Sequence, residues 1–108
     1  MPFDPHLADR MRDALRERVG IQERKMFGGH CWMLHGNILC GVEVGRYMLR
    51  VGKDLEAEAM ARPGARPMDI TGRPMRGLVW VDADAAFEAG LPTWIDLAER
   101  FVRTLPPK

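Results

Sequence analysis

Apolar and polar positions alternate along this chain with two different periods. Over residues 5–17 the period is helical. Leu7, Met11, Ala14 and Leu15 fall at i, i+4, i+7 and i+8 and form one stripe, while Asp9, Arg10, Arg12, Asp13, Arg16 and Glu17 fill the other side. Asp4 suits the N-cap of this helix, Pro5 suits its first turn, and Gly20 is expected to end it. The outer charges balance in sign, which predicts a solvated face rather than a nucleic-acid site. From residue 24 the period drops to two. Residues 24–27 predict a short strand that Gly28 and Gly29 interrupt as a bulge or turn. Residues 30–35 and 38–43 predict a hairpin around Gly36-Asn37, a pair that tolerates positive φ. Val44-Gly45 predicts the next turn and residues 46–51 the next strand. The stretch 26–51 therefore reads as a β-meander, and the helices on either side of it are expected to cover it.

Two-residue loops at both turns set a register. His35 then faces Ile38, Met33 faces Cys40 and Cys31 faces Val42. Across the second turn Glu43 faces Arg46, Val42 faces Tyr47, Cys40 faces Leu49 and Ile38 faces Val51. One face collects Cys31, Met33, Ile38, Cys40, Val42, Tyr47, Leu49 and Val51, and this almost wholly apolar face is expected under the helices. The other collects His30, Trp32, Leu34, Leu39, Glu43, Arg46, Met48 and Arg50. It is mixed, with Trp32, Leu34, Leu39 and Met48 at an apolar centre and Arg46 and Arg50 in a charged margin. An antiparallel sheet usually keeps its solvent face polar. Three readings follow: the C-terminal segment folds back over this face, a protein partner or second copy docks on it, or it lines a ligand pocket. A slip of one residue would exchange the two faces.

Beyond the meander, residues 53–61 predict a short helix with Leu55, Ala59 and Met60 inside and Asp54 as its cap. Pro63, Gly64, Pro67, Gly72, Pro74 and Gly77 then break the pattern, so residues 62–77 read as a connecting loop with a short strand at 67–70. Arg62, Arg66, Arg73 and Arg76 stand in this loop against the single acid Asp69. They are candidate phosphate contacts, because arginine forks match phosphate, and a solvated loop is the competing reading. Residues 78–82 predict a strand that is apolar on both faces. Asp82 or Asp84 is expected to cap a helical turn through Phe87 that Gly90 ends. The last helix is expected from Pro92 or Thr93, with Thr93 and Asp96 resembling a capping box. Its stripe is Trp94, Ile95, Ala98, Phe101, Val102 and Leu105, and Pro106-Pro107 stops it. The expected architecture is α+β in two layers, an antiparallel sheet covered by N- and C-terminal helices, in a single domain over residues 1–108.

Composition narrows the function classes. Hydrophobic residues make up 46% and charged residues 29%, as in ordinary globular proteins, and the formal charge of +1 argues against phosphate binding through overall field alone. No apolar run approaches the ~18 residues of a membrane span. Asp4 and a charged helix stand where a signal peptide would, so the expected compartment is the cytoplasm, and Cys31 and Cys40 are expected as reduced thiols. The chain has no serine, which excludes a serine nucleophile. His30, Cys31, His35 and Cys40 do not follow a zinc spacing. A thiol among apolar neighbours is inert as a nucleophile, and Gly28-Gly29 lacks the lysine and hydroxyl of a phosphate loop. No catalytic, metal or cofactor site is expected.

Arg24-Lys25-Met26-Phe27-Gly28-Gly29, the hairpin around Gly36 and the strand Gly45-Arg46-Tyr47-Met48-Leu49-Arg50-Val51 together resemble the N-terminal domain of the TfoX/Sxy competence regulators. Thr71-Gly72-Arg73-Pro74-Met75 is similar to that family's Gly-Lys/Arg-x-Met segment, and Trp80 stands in its aromatic-rich late strand. The resemblance covers roughly residues 5 to 105. It implies a two-layer α+β domain similar to secretion-chaperone-like folds. Full-length members are linked to transcriptional control of DNA uptake and carry a second, C-terminal helical domain suited to nucleic acid. The motif brings no established catalytic residue. The expectation is a small non-enzymatic domain that acts by protein–protein association, as a homodimer or with another protein, in the regulation of competence, without cofactor or membrane. Direct nucleic-acid binding through Arg46, Arg50 and the loop 62–76 is one alternative. A small-molecule or enzymatic role near Gly28, Gly29, His30 and Trp32 is the other.

Overall fold

Leu7, Met11 and Leu15 form the buried stripe of a first helix, α1 (Pro5–Leu15). Six strands follow in two groups: β1 (Ile21–Met26), β2 (Gly29–Leu34), β3 (Asn37–Val42) and β4 (Arg46–Arg50), then, after α2 (Gly52–Met60), β5 (Ala65–Ile70) and β6 (Arg73–Asp82). Two helices close the chain, α3 (Ala83–Ala89) and α4 (Leu91–Val102). This is a computed structural model, and it describes residues 5–26, 29–70 and 73–108. Asp4 as a cap, Phe27-Gly28 and Thr71-Gly72 lie outside the described residues. The strands form one antiparallel sheet in the order β1-β2-β3-β4-β6-β5. Helices on one side and the sheet on the other make the two-layer α+β architecture.

The first hairpin departs from its expected register. Its turn is His35-Gly36, and Leu34 pairs with Asn37. His35 takes φ +52, a left-handed conformation for which histidine is among the enriched residues. Asn37 is withdrawn from the turn by a distant contact: its buried side-chain amide donates to the Pro106 carbonyl at 3.0 Å. The Lys108 N–H donates to the His35 carbonyl at 2.8 Å, so the C-terminal tail clamps the same turn. Met33 therefore pairs with Ile38, and the ladder shifts so that Trp32 pairs with Cys40. Leu39 is the extra residue of a β-bulge. The slip carries Trp32, Leu34 and Leu39, expected on the mixed face, under the helices, where their exposures are 1%, 0% and 0%. These three side chains belong to the core cluster with α1 and α4, and Trp32 borders Leu15 and Ile21. Cys31, Met33 and Ile38, expected under the helices, turn to the other face. The β3–β4 register is as expected, with Cys40 opposite Leu49 and Val42 opposite Tyr47.

The short strand expected at 67–70 extends over Ala65–Ile70, and residues 73–77, expected in the loop, belong to β6. Ala65–Ile70 pairs antiparallel with Arg73–Asp82, and β5 lies at the sheet edge. An edge strand tolerates Pro67, because the missing N–H removes no bond from an interior ladder. Two end signals also shift. α1 stops at Leu15, and Gly20 instead accepts the His35 N–H at 3.1 Å. α4 starts at Leu91 with Gly90 at its N-cap and Pro92 in its first turn, so Thr93 already lies inside the helix and caps nothing. Asp82 stands at the N-cap of α3 but forms no cap bond there, and its carboxylate takes Arg66 at 3.2 Å.

The core lies between the layers. Leu7, Met11 and Leu15 of α1 and Trp94, Ile95, Leu97, Ala98 and Val102 of α4 pack on Trp32, Leu39, Cys40, Tyr47, Leu49, Val79 and Val81. Tyr47 also donates its hydroxyl to the Leu7 carbonyl at 2.7 Å, which ties α1 to the sheet centre. Charges fasten the margins. Arg12 of α1 reaches Glu23 of β1 at 2.7 Å, and Glu23 meets His30 Nδ1 at 2.7 Å. Arg18 pairs with Asp96 at 2.9 Å and with the nearly buried Glu99 of α4.

Candidate functional site: the open face of the sheet

Paired residues of antiparallel strands share a face. The face opposite the core can thus be read strand by strand: Arg24 on β1, Cys31 and Met33 on β2, Ile38 and Gly41 on β3, Arg46, Met48 and Arg50 on β4, Leu78, Trp80 and Asp82 on β6, and Arg66 on β5. All four helices contribute side chains to the core on the other side. Phe101 of α4 and the start of α2 reach this face at its Arg50 and Leu78 end. Cys31 and Met33 are only 7% and 8% exposed, because the side chains of the face pack on one another. Gly41 allows this: the Cys31 Sγ and the Met48 Cε lie 3.3 and 3.4 Å from where a Cβ on Gly41 would sit. The face carries two apolar groups, Met33 with Ile38 and Met48 with Trp80 and Leu78, and Arg50 stands between Ile38 and Leu78.

Its margin is charged but internally paired. The Arg46 guanidinium lies 3.8 Å from the centroid of the Trp80 ring and bonds Glu43 at 2.7 Å, so it both shields the indole and is held in place. Arg66 pairs with Asp82 at 3.2 Å. Arg50 meets no carboxylate within ion-pair distance among the described residues; it donates weakly to the Ile38 carbonyl at 3.5 Å. Nothing in this set has the geometry of a nucleophile and base. Cys31 is held above the ordinary thiol range by burial, and Cys40, sealed in the core, is pushed further up by the same cause. Both thiols are free and protonated at neutral pH. His30, Cys31, His35 and Cys40 are not brought together: His30 is on Glu23, Cys31 on the open face, Cys40 in the core and His35 in an exposed turn.

The model of the TfoX N-terminal domain matches residues 13–102, most of the chain. The chain belongs to the TfoX N-terminal domain family. No curated protein and no solved structure matches it.

In this TfoX N-terminal domain the expected partner-binding set divides. Met48, Arg46 and Arg50 do stand on the open face, whereas Trp32, Leu34 and Leu39 are core residues. The sequence reading missed Met33, Ile38, Leu78 and Trp80. The uninterrupted apolar run Ile38-Leu39-Cys40-Gly41-Val42 was the available signal, since it cannot alternate cleanly without a bulge. The expected phosphate contacts do not form one patch. Arg62 stacks over Trp94 at 4.8 Å and donates to the Thr93 carbonyl, Arg66 is on Asp82, and Arg76 is on Glu56 at 2.9 Å. The Arg73 side chain lies outside what the structure describes, as does Gly28; Gly29 opens β2.

Proposed function

We propose that this TfoX N-terminal domain is a non-enzymatic association module in the transcriptional control of DNA uptake, and that it associates with a second copy of itself through the open face of its sheet. The observation that carries the reading is the set of apolar side chains, Met33, Ile38, Met48 and Trp80, on the face of the sheet away from the core. An apolar face of this extent, rimmed by charge, has the anatomy of an interface. Six strands about 4.8 Å apart and about six residues long present roughly 500 Å² of projected area per copy. Two copies then reach about 1,000 Å², the lower bound for a specific contact. The rim suits a second copy because it carries both signs, Glu43 beside Arg46 and Asp82 beside Arg66. A two-fold axis would set each sign opposite its complement without another gene product. The regulatory role rests on family membership.

The test is sedimentation velocity with circular dichroism on the wild type and on Met48→Glu with Trp80→Glu. Both residues are half-buried on the face rather than in the core. The wild type is expected to sediment as a dimer and the double variant as a folded monomer. A wild type that remains monomeric at high concentration removes the second copy as occupant. A double variant that stays dimeric removes this face.

A further inference from the structure

At the end of the sheet where β4 runs into α2, a cleft of about 400 Å³ opens. That volume lies within the range of small-ligand sites. The cleft adjoins the open face, with which it shares Arg50 and Leu78, and the ligand reading requires no second copy. Three cations line it from three separate segments, Arg50 of β4, Lys53 of α2 and Arg76 of β6, against Asp54 in the lining and Glu56 bonded to Arg76, which leaves an excess of positive charge. Neither Arg50 nor Lys53 has an ion-pair partner among the described residues, whereas most arginines of the chain do. Arg76 is ion-paired and oriented by Glu56. Glu56 accepts the Arg76 Nε–H at 2.9 Å with one oxygen and the Gly77 N–H at 2.9 Å with the other, which leaves the far edge of the guanidinium to donate. That Gly77 bond comes first among the interactions holding Glu56 below the usual carboxylate range, so the clamp stays ionised at neutral pH.

The floor of the cleft is bare backbone. Gly52 has φ +79, and a Cβ there would come within 2.4 Å of the Phe101 ring; one on Gly77, at φ +86, would lie 3.1 Å from the Gly52 Cα. Glycine is required at both positions by packing, because the Phe101 ring and the Gly52 backbone fill the places a Cβ would take. The remaining wall is flat and apolar, Phe101 and Leu78. The Arg50 guanidinium lies 5.6 Å from the Phe101 ring centroid, beside this wall.

We infer that this cleft binds a small phosphate-bearing ligand with a flat ring, a mononucleotide in chemical class. The phosphate lies among Lys53, Arg76 and Arg50, and the ring lies against Phe101 and Leu78. Charge separates this cleft from two other concave regions among the described residues. The one between α1 and α3 is lined by Asp82, Asp84 and Glu88, and in the one beside Trp32 the three arginines are each paired with carboxylates.

The test is calorimetric titration of the full chain with AMP, adenosine, inorganic phosphate and a short single-stranded oligonucleotide, repeated on Lys53→Glu and Arg50→Ala. Lys53 is exposed, so its replacement leaves the fold intact, and the melting temperature of each variant without ligand verifies this. AMP is expected to bind more tightly than adenosine or phosphate, and each variant is expected to weaken it at least about tenfold, the usual consequence of losing a charged hydrogen bond. No heat of binding with AMP at millimolar concentration overturns the inference. So does AMP binding that both variants leave unchanged, or inorganic phosphate that binds as tightly as AMP. An oligonucleotide that binds more tightly than AMP through these residues reassigns the cleft to a nucleic-acid backbone and overturns the small-ligand class.

Discussion

Trp32 and Trp80 lie on opposite sides of the same sheet, and truncating each to alanine measures which side is the core. Trp32 is 1% exposed and packs within the cluster that holds α1 and α4 on the sheet. A buried aromatic side chain removes roughly 150–250 Å² from water. At about 25 cal/mol per Å² this is about 4–6 kcal/mol, from which alanine keeps a small part. Trp32→Ala is therefore expected to cost about 3–5 kcal/mol, the usual range for Trp→Ala in a core. That is a large share of the roughly 5–15 kcal/mol that holds such a domain together. Trp80 is half-buried under Arg46, and Trp80→Ala is expected to cost less than about 2 kcal/mol. The assay is urea unfolding followed by far-ultraviolet circular dichroism, because both substitutions alter tryptophan fluorescence. With a Gly36-Asn37 turn and no bulge, Trp32 would stand on the open face and behave like Trp80. A Trp80→Ala loss equal to or larger than that of Trp32→Ala would refute the register and the assignment of the two faces.

Two further outcomes follow from the electrostatics. Hydrogen bonds from Arg12, then from His30, hold the Glu23 carboxyl down to about 2 from an ordinary 4.5, so between these values the unfolded chain binds the extra proton and acid favours unfolding. Urea midpoints at about pH 5 and about pH 3 should therefore fall further in the wild type than in Glu23→Gln, and equal losses would remove Glu23 from the acid response. With Cys31 on the open face and Cys40 sealed in the core, a thiol reagent should modify both slowly in the native protein, Cys31 first, and both fully after denaturation; modification of Cys40 before Cys31 would contradict the sheet geometry.

The helices were legible because their period and their charges agree. Leu7, Met11 and Leu15 recur at one helical spacing, and Trp94, Ile95, Ala98 and Val102 at another, with arginines and acids filling the outer faces. The second hairpin was legible for the same local reason, since Val44-Gly45 fixes its pairing. The first was not, because its decisive contact is remote: Asn37, a good turn residue by type, spends its amide on Pro106, 69 positions away. A shift of one residue then exchanged Trp32, Leu34 and Leu39 for Cys31, Met33 and Ile38 on the open face. Pro67 and Pro74 hid the β5–β6 hairpin, because Pro67 lies on the edge strand and Pro74 lies where β6 runs on beyond its pairing with β4. The cleft beside α2 joins Arg50, Lys53 and Arg76 only once that hairpin has formed beside β4.

The central claim is that one face of the sheet is sealed by four helices and the other is the surface of association. Fluorine NMR of the protein labelled with 5-fluorotryptophan addresses both halves at once, since Trp32 marks the sealed face, Trp94 the helical layer and Trp80 the open face. Across a concentration series, only the Trp80 resonance is expected to shift or broaden, while those of Trp32 and Trp94 stay fixed and show no solvent isotope shift. A concentration-dependent Trp32 resonance, or three resonances that stay unchanged up to the highest attainable concentration, would contradict the account.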